Sequence, residues 1–208
     1  LEPTNRGRRK QKQSLVTTLD NLSTAWEYAV ANFQGSFDKR FIEDIAEKIE
    51  PGIGPYRQDS VRITGLESVT PPNYVKVPDQ MEDAFYALNK SDMHPVEKAA
   101  FAHLHIVRIH PFYDGNGRLS RLVQNLILHN NEYVPATIRH EERDFYQHML
   151  REGLRGYQMR TSTGDTRQLI SPGEKAFMQY LASKVAIEFG DAIRLVNTLP
   201  EHEISLES

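Results

Sequence analysis

An all-α single domain is the fold class that three features of the chain predict. Apolar residues recur at three- and four-residue spacing along most of its length. Glycine and proline punctuate that pattern where helices would end or begin. One stretch alone breaks it, "YRQDSVRITGLESVTPPNYVKVP" from Tyr56 to Pro78, with β-branched alternation at Val61 and Ile63 and a Pro-Pro break.

The elements follow in order. Leu15, Leu19, Leu22, Trp26, Val30 and Phe33 form one helical stripe, stopped by Gly35, and a short helix holds Phe41, Ile42, Ile45 and Ile49 before Pro51-Gly52. The 56–78 stretch reads as a small hairpin with an extended arm, and because a lone hairpin is marginally stable it must lie against the helical body. Asp79 is placed to cap a helix carrying Met81, Phe85 and Leu88. Pro95 suits the first turn of the next, whose inner face takes Val96, Ala100, His103, Leu104 and Val107. After an interruption at 110–116, Leu119, Leu122, Val123, Leu126 and Ile127 continue the pattern. A further helix carries Phe145, Met149, Leu150 and Leu154. "SPGE" at 171–174 opens the last long helix as a capping box, with Pro172 in its first position.

Length and composition suit this reading: 208 residues, 39% hydrophobic and 25% charged, make one domain with a real core. A formal net charge of −3 gives no general attraction to nucleic acid or to an anionic membrane. No apolar run reaches the roughly 18 residues that span a bilayer, no signal peptide is visible, and a cytoplasmic protein is expected. The absence of cysteine excludes disulfides, thiol chemistry and Cys-based zinc sites. Residues 1–13 read as a basic, flexible arm with Arg6, Arg8, Arg9, Lys10 and Lys12, residues 14–200 as the domain, and 201–208 as a tail. An arm of this kind binds nucleic acid or a membrane surface in some proteins, but on composition a solvated terminus is the better reading.

The chemistry concentrates in "HPFYDGNGRLSR", residues 110–121. A tight loop here joins two apolar helices, and Gly115 and Gly117 let backbone approach a ligand closely. Unpaired N–H groups at the second helix's start, with its dipole, form an anion cradle. Arg118 and Arg121, three apart, share a face and can both fork onto phosphate oxygens. Asn116 offers an amide. Asp114 repels a phosphate unless Mg²⁺ lies between them, and His110 can take a proton near neutral pH. Taken singly, each of these is an ordinary turn, helix boundary or solvated face. Together they describe phosphoryl or nucleotidyl transfer.

This stretch resembles the signature of the Fic family, His-Pro-Phe-x-Asp-Gly-Asn-Gly-Arg-x-x-Arg, at every specified position. A weaker resemblance runs from about 41 to 157, including "PYR" at 55–57, "VP" at 77–78 and "AHLHIVRIHPF" at 102–112. The resemblance implies a Fic fold, a helical bundle with a small β-hairpin flap at about 56–74. It implies transfer of AMP from ATP to a Ser, Thr or Tyr hydroxyl of a target protein, and of the enzyme itself, with release of pyrophosphate. By motif position His110 is then the base, Asp114 the Mg²⁺ ligand, and Asn116 with Gly115 and Gly117 the seat of the α-phosphate. Arg118 meets the β- and γ-phosphates and Arg121 the γ-phosphate. Phe112 anchors the loop in the core, Tyr146 borders the adenine pocket, and the flap aligns the target strand by edge pairing. Arginine at 118 and glycine at 117 depart from the family's phosphorylating branch. The alternative is a silent or differently specific module that binds nucleotide or transfers another phosphate-containing group.

Many relatives hold an inhibitory glutamate, in Ser/Thr-x-x-x-Glu-Gly/Asn, that pairs with the second motif arginine. Ser23-x-x-x-Glu27 fits the first half, followed by Tyr28. Glu188 stands where a C-terminal brake would fall, with Ser183 one residue too far away and Phe189 following. Both acids are equally readable as helix-surface residues, and a separate inhibitory partner is the other option. His103 reads as a core histidine with a hydrogen bond, and His140 and His148 give no metal pattern.

Overall fold

The computed structural model describes residues 5–163 and 170–198; residues 1–4 and the expected 201–208 tail lie outside them. Seven α-helices lie among the described residues: α1 Asn5–Asn32, α2 Lys39–Ile49, α3 Val77–Lys90, α4 Pro95–Ile109, α5 Asn116–Asn130, α6 Arg143–Thr163 and α7 Pro172–Thr198. Among the described residues there is no strand.

The centre of the bundle is the α4–α5 pair, joined by residues 110–115. Each of these helices buries nine side chains, which leaves little of either facing water. The remaining helices pack around them, with α1 and α2 as one layer against α5 and with α6 and α7 as a second pair against α4. Capping explains where these helices start. Asp38 accepts the Phe41 N–H at 2.8 Å to open α2. His94 accepts from the Val96 N–H while Glu97 reaches back to the His94 N–H, so Pro95 enters α4 without cost. Ser171 and Glu174 exchange bonds in the expected box at the head of α7.

Several expectations need correction. The 56–74 segment is no hairpin: its short-range backbone bonds, Leu66 N–H to Ile63 and Val69 N–H to Leu66, are turns. Its buried anchors are Ile63, Leu66 and Val69, spaced by three where an alternating strand would space them by two. Pro71 and Pro72 lack N–H donors, and the Arg57 guanidinium takes the carbonyls of Asp59 and Pro72 at 2.7 Å each, pinning both ends of the segment. Asp79 caps nothing. Asn73 accepts the Val75 N–H at 3.0 Å to open a 3₁₀ turn at Tyr74–Lys76, and that turn runs directly into α3.

On α1 the buried positions are Ala25 and Ala29, flanked by half-buried Leu22, Trp26 and Phe33, whereas Leu15, Leu19 and Val30 are exposed. The Asn21 amide on α1 reaches the Ile49 carbonyl at 3.4 Å and ties this helix to the end of α2. The backbone of residues 5–13 is helical and continuous with the rest of α1. On α6 the inner face is rotated by one residue, so that Tyr146, Leu150 and Leu154 are buried and Phe145 is exposed. A hydrogen bond from Tyr146 into the core sets that rotation.

Candidate active site

Residues 110–115 leave α4 through a left-handed residue. His110, the cap of α4, sits at φ 52° and ψ 59°, a conformation that costs a non-glycine residue about 1 kcal/mol or more. The following proline already disfavours the right-handed helical region for His110. Arg57, 2% exposed, locks the turn: its Nε donates to the His110 carbonyl at 2.8 Å, one terminal nitrogen reaches the Ile109 carbonyl at 3.3 Å, and its own N–H donates to the Pro111 carbonyl at 2.8 Å. Phe112 is buried edge-on against Tyr56, as expected of a loop anchor.

Gly115, at φ 75°, precedes α5, and the first bond of that helix runs from the Leu119 N–H to the Gly115 carbonyl. The N–H groups of Asn116, Gly117 and Arg118 therefore have no intrahelical acceptor and project from the positive end of the dipole. The Asn116 amide is already committed. It accepts from the Phe112 N–H at 3.0 Å and donates to the Phe112 carbonyl at 2.8 Å, so it braces the loop, and what it can offer an anion is its main-chain N–H.

These N–H groups open on a cavity of about 370 Å³ walled by Arg62, Ile63, His110, Asp114, Arg118, Arg121, Tyr146 and Gln147, among others. The His110 Nδ1 faces the Val107 carbonyl at 3.3 Å; a carbonyl only accepts, so Nδ1 carries the proton and Nε2 is left as the basic atom. Burial lowers the His110 pKa below its usual value, helped by the Arg57 charge and opposed by the Val107 bond and Asp114. Arg118 donates to Glu50 at 2.8 Å at the end of α2 and lies 3.6 Å from Asp114. Asp114 uses one oxygen on the Gly115 N–H, at 2.6 Å, and on Arg118, which leaves its second oxygen toward solvent.

Among the described residues no cluster of three or more His, Asp or Glu stands ready for a metal. One exposed carboxylate beside a phosphate cradle nevertheless fits Mg²⁺, which draws most of its ligands from phosphates and water. Arg121 and Tyr146 line the same cavity, where burial raises the Tyr146 pKa and the Arg121 charge offsets part of that rise.

Neither expected brake meets Arg121. Glu27 is exposed, and the Ser23 hydroxyl donates to it at 3.3 Å. It lies two positions from both Ala25 and Ala29, about 200° around the helix from the face that packs on the body. Glu188 pairs with Arg139 at 3.6 Å and ties α7 to the segment before α6. Among the described residues no carboxylate forms an ion pair with Arg121. Arg57, Glu50, Arg62 and Gln147 were not singled out by sequence. Arg57 stood inside the "PYR" match without a role, because nothing local shows that its partners lie 53 residues downstream.

A helical bundle presenting this loop offers main-chain N–H groups and two arginines to an anionic ligand. Residues 36–128 match the Fic/DOC family. A protein adenylyltransferase Fic from Drosophila willistoni is 38% identical over 98 residues, covering 47% of this chain and 20% of the relative. This chain thus matches about a fifth of the length of such curated relatives. A crystal structure of a Fic domain containing signaling protein from Bacteroides thetaiotaomicron superposes with a TM-score of 0.69 at 26% identity, covering 81% of this chain and 68% of that one. IbpAFic2, in a complex with adenylylated Cdc42, shares the fold at a TM-score of 0.54 and 17% identity, covering 81% and 54%. Among the described residues no helix is long and apolar enough to cross a membrane.

Proposed function

We propose that this chain is a protein adenylyltransferase, moving AMP from ATP to a hydroxyl side chain of a target protein. The observation that carries the reading is convergence. A neutral imidazole with a bare Nε2, three free N–H groups at the start of α5 and two arginines face one cavity.

His110 Nε2 takes the proton as the hydroxyl oxygen attacks the α-phosphorus, the bond to the bridging oxygen breaks, and pyrophosphate departs. The N–H groups of Asn116, Gly117 and Arg118 receive the charge that gathers on the α-phosphate oxygens. Arg118 and Arg121 neutralise the outer phosphates, with Arg118 exchanging Glu50 for phosphate oxygen. Asp114 would hold Mg²⁺, which supplies charge neutralisation across the phosphates when bound. The stretch around residues 60–64, with Ser60, Arg62 and Thr64 exposed and the cavity of His110 beside it, receives the target chain. The adenylyltransferase name of the relatives and the adenylylated Cdc42 bound to IbpAFic2 support a protein target.

The test is incubation with α-labelled ATP and Mg²⁺ in the presence of lysate proteins. Label is expected on a target and on the chain itself, reduced at least about 100-fold in His110→Ala. Label entering only from the γ-position would overturn AMP transfer in favour of phosphorylation.

A further inference from the structure

Behind the cavity lies a chain of buried polar groups that the transfer chemistry does not use directly. His103 on α4 is completely buried, and so is Gln124 on α5, while Tyr146 on α6 is 8% exposed. His103 Nδ1 stands 2.7 Å from Gln124 Oε1, and His103 Nε2 stands 2.8 Å from the Tyr146 hydroxyl. The direction of every bond follows from what each atom can do. Gln124 Nε2 donates to Asn125 Oδ1 at 3.1 Å, which identifies Gln124 Oε1 as the acceptor facing His103. His103 Nδ1 therefore carries the proton, and Nε2 has only a lone pair to offer. Tyr146 must donate its O–H to Nε2, so its oxygen lone pairs are left for the cavity that it lines together with Arg121.

The far end is fixed by backbone, since the Ala136 N–H also donates to Asn125 Oδ1, at 3.0 Å. The His103 ring is held edge-on by Tyr146 and Phe177, so four helices meet at this one residue. Burial drives the His103 pKa down to about 3, so the ring stays neutral and the bond directions do not reverse near neutral pH.

We infer that His103, acting through the Tyr146 hydroxyl, is a positioning residue that sets the Arg121 guanidinium for the outermost phosphate of the donor and so selects a nucleoside triphosphate over a diphosphate. Only the correctly directed Tyr146 oxygen can accept from Arg121, and only a proton-accepting Nε2 directs it that way. Without that anchor the arginine keeps its charge and loses its orientation, which a fork onto phosphate requires. The inference rests on the proposed role of Arg121 at the terminal phosphate.

The test is calorimetric binding of ATP and of ADP to the full chain, with no transfer required. Tyr146→Phe removes the hydroxyl with little change of shape. His103→Leu removes the acceptor, and His103→Gln places an amide carbonyl near the position of Nε2. Tyr146→Phe and His103→Leu should each lower the ATP-to-ADP affinity ratio by roughly five- to tenfold, the size of one weakened hydrogen bond to a charged group. ADP affinity should stay within about twofold, His103→Gln should recover most of the ratio, and the double variant should be no worse than either single one. Equal losses for ATP and ADP, or losses that multiply in the double variant, would overturn it. A shifted ratio in a chain that transfers no AMP supports the inference and sinks the proposed activity. An unchanged ratio in an active enzyme does the reverse.

Discussion

As the base of the proposed transfer, His110 combines two requirements that pull against each other at the level of a single residue. A base must be unprotonated before the hydroxyl arrives, and it must also stand where a helix has just ended. Burial and the Arg57 charge meet the first requirement by lowering the pKa. The left-handed turn, held by carbonyl bonds to Arg57, meets the second. A base works above its own pKa, so lowering that value below about 6.5 extends activity toward acid. The acid limb of kcat/KM for AMP transfer should therefore fall with a midpoint below pH 6.5; a midpoint at or above that value would contradict the burial seen here. Asn116 is the instructive residue for sequence reading. Its identity was legible and its use was not, because only the fold shows that both ends of its amide are already occupied by Phe112.

At the scale of elements, the approach of α6 to α7 turns on glycine. A Cβ at Gly173 would stand 2.1 Å from the Glu152 carbonyl oxygen and 2.8 Å from its carbon, both backbone atoms that cannot rotate aside. Gly173→Ala should destabilise the protein by about 1–3 kcal/mol, the usual cost of forcing atoms into a packed contact, read as a lower midpoint in denaturant unfolding. A variant as stable as the parent would mean that the two helices do not touch there. The sequence supported this helix strongly, since Ser171, Pro172 and Glu174 form a capping signature that needs no tertiary partner. It supported the 56–74 segment poorly. β-branched residues at 61 and 63 carry strand propensity, but long-range bonds from Arg57 decide the path of that backbone, and the propensity is overridden.

For the whole molecule, stability against acid follows from two histidines of α4, His103 fully buried and His105 half-buried. His103 and His105 are both lowered to about pKa 3, chiefly by burial. His105 is stacked on Phe101 with centroids 3.9 Å apart and accepts from Arg108 through Nδ1 at 3.4 Å. An unfolded chain protonates these rings near pH 6.5 and the native protein does not, so their contribution is full above that pH and is lost as pH falls toward about 3. Between about pH 6 and about pH 4, wild type should lose about 1.4 kcal/mol per pH unit more than His103→Leu, one proton's worth of linkage. Urea unfolding across that range checks it, and parallel pH slopes would show that His103 takes up its proton in the native state.

The chain by itself determined the helical class, the order and capping of most helices, and the loop at 110–121 with its histidine, its glycines and its arginines. These are local matters, written in spacings of a few residues and in the chemistry of single side chains. Only the tertiary structure decided that the 56–74 segment turns instead of pairing, that Glu27 and Glu188 form no ion pair with Arg121, and that Asn116 braces while Glu50 holds Arg118. Each of these depends on which side chains from distant parts of the chain meet, and burial at such meetings, not local preference, sets what a polar group is free to do.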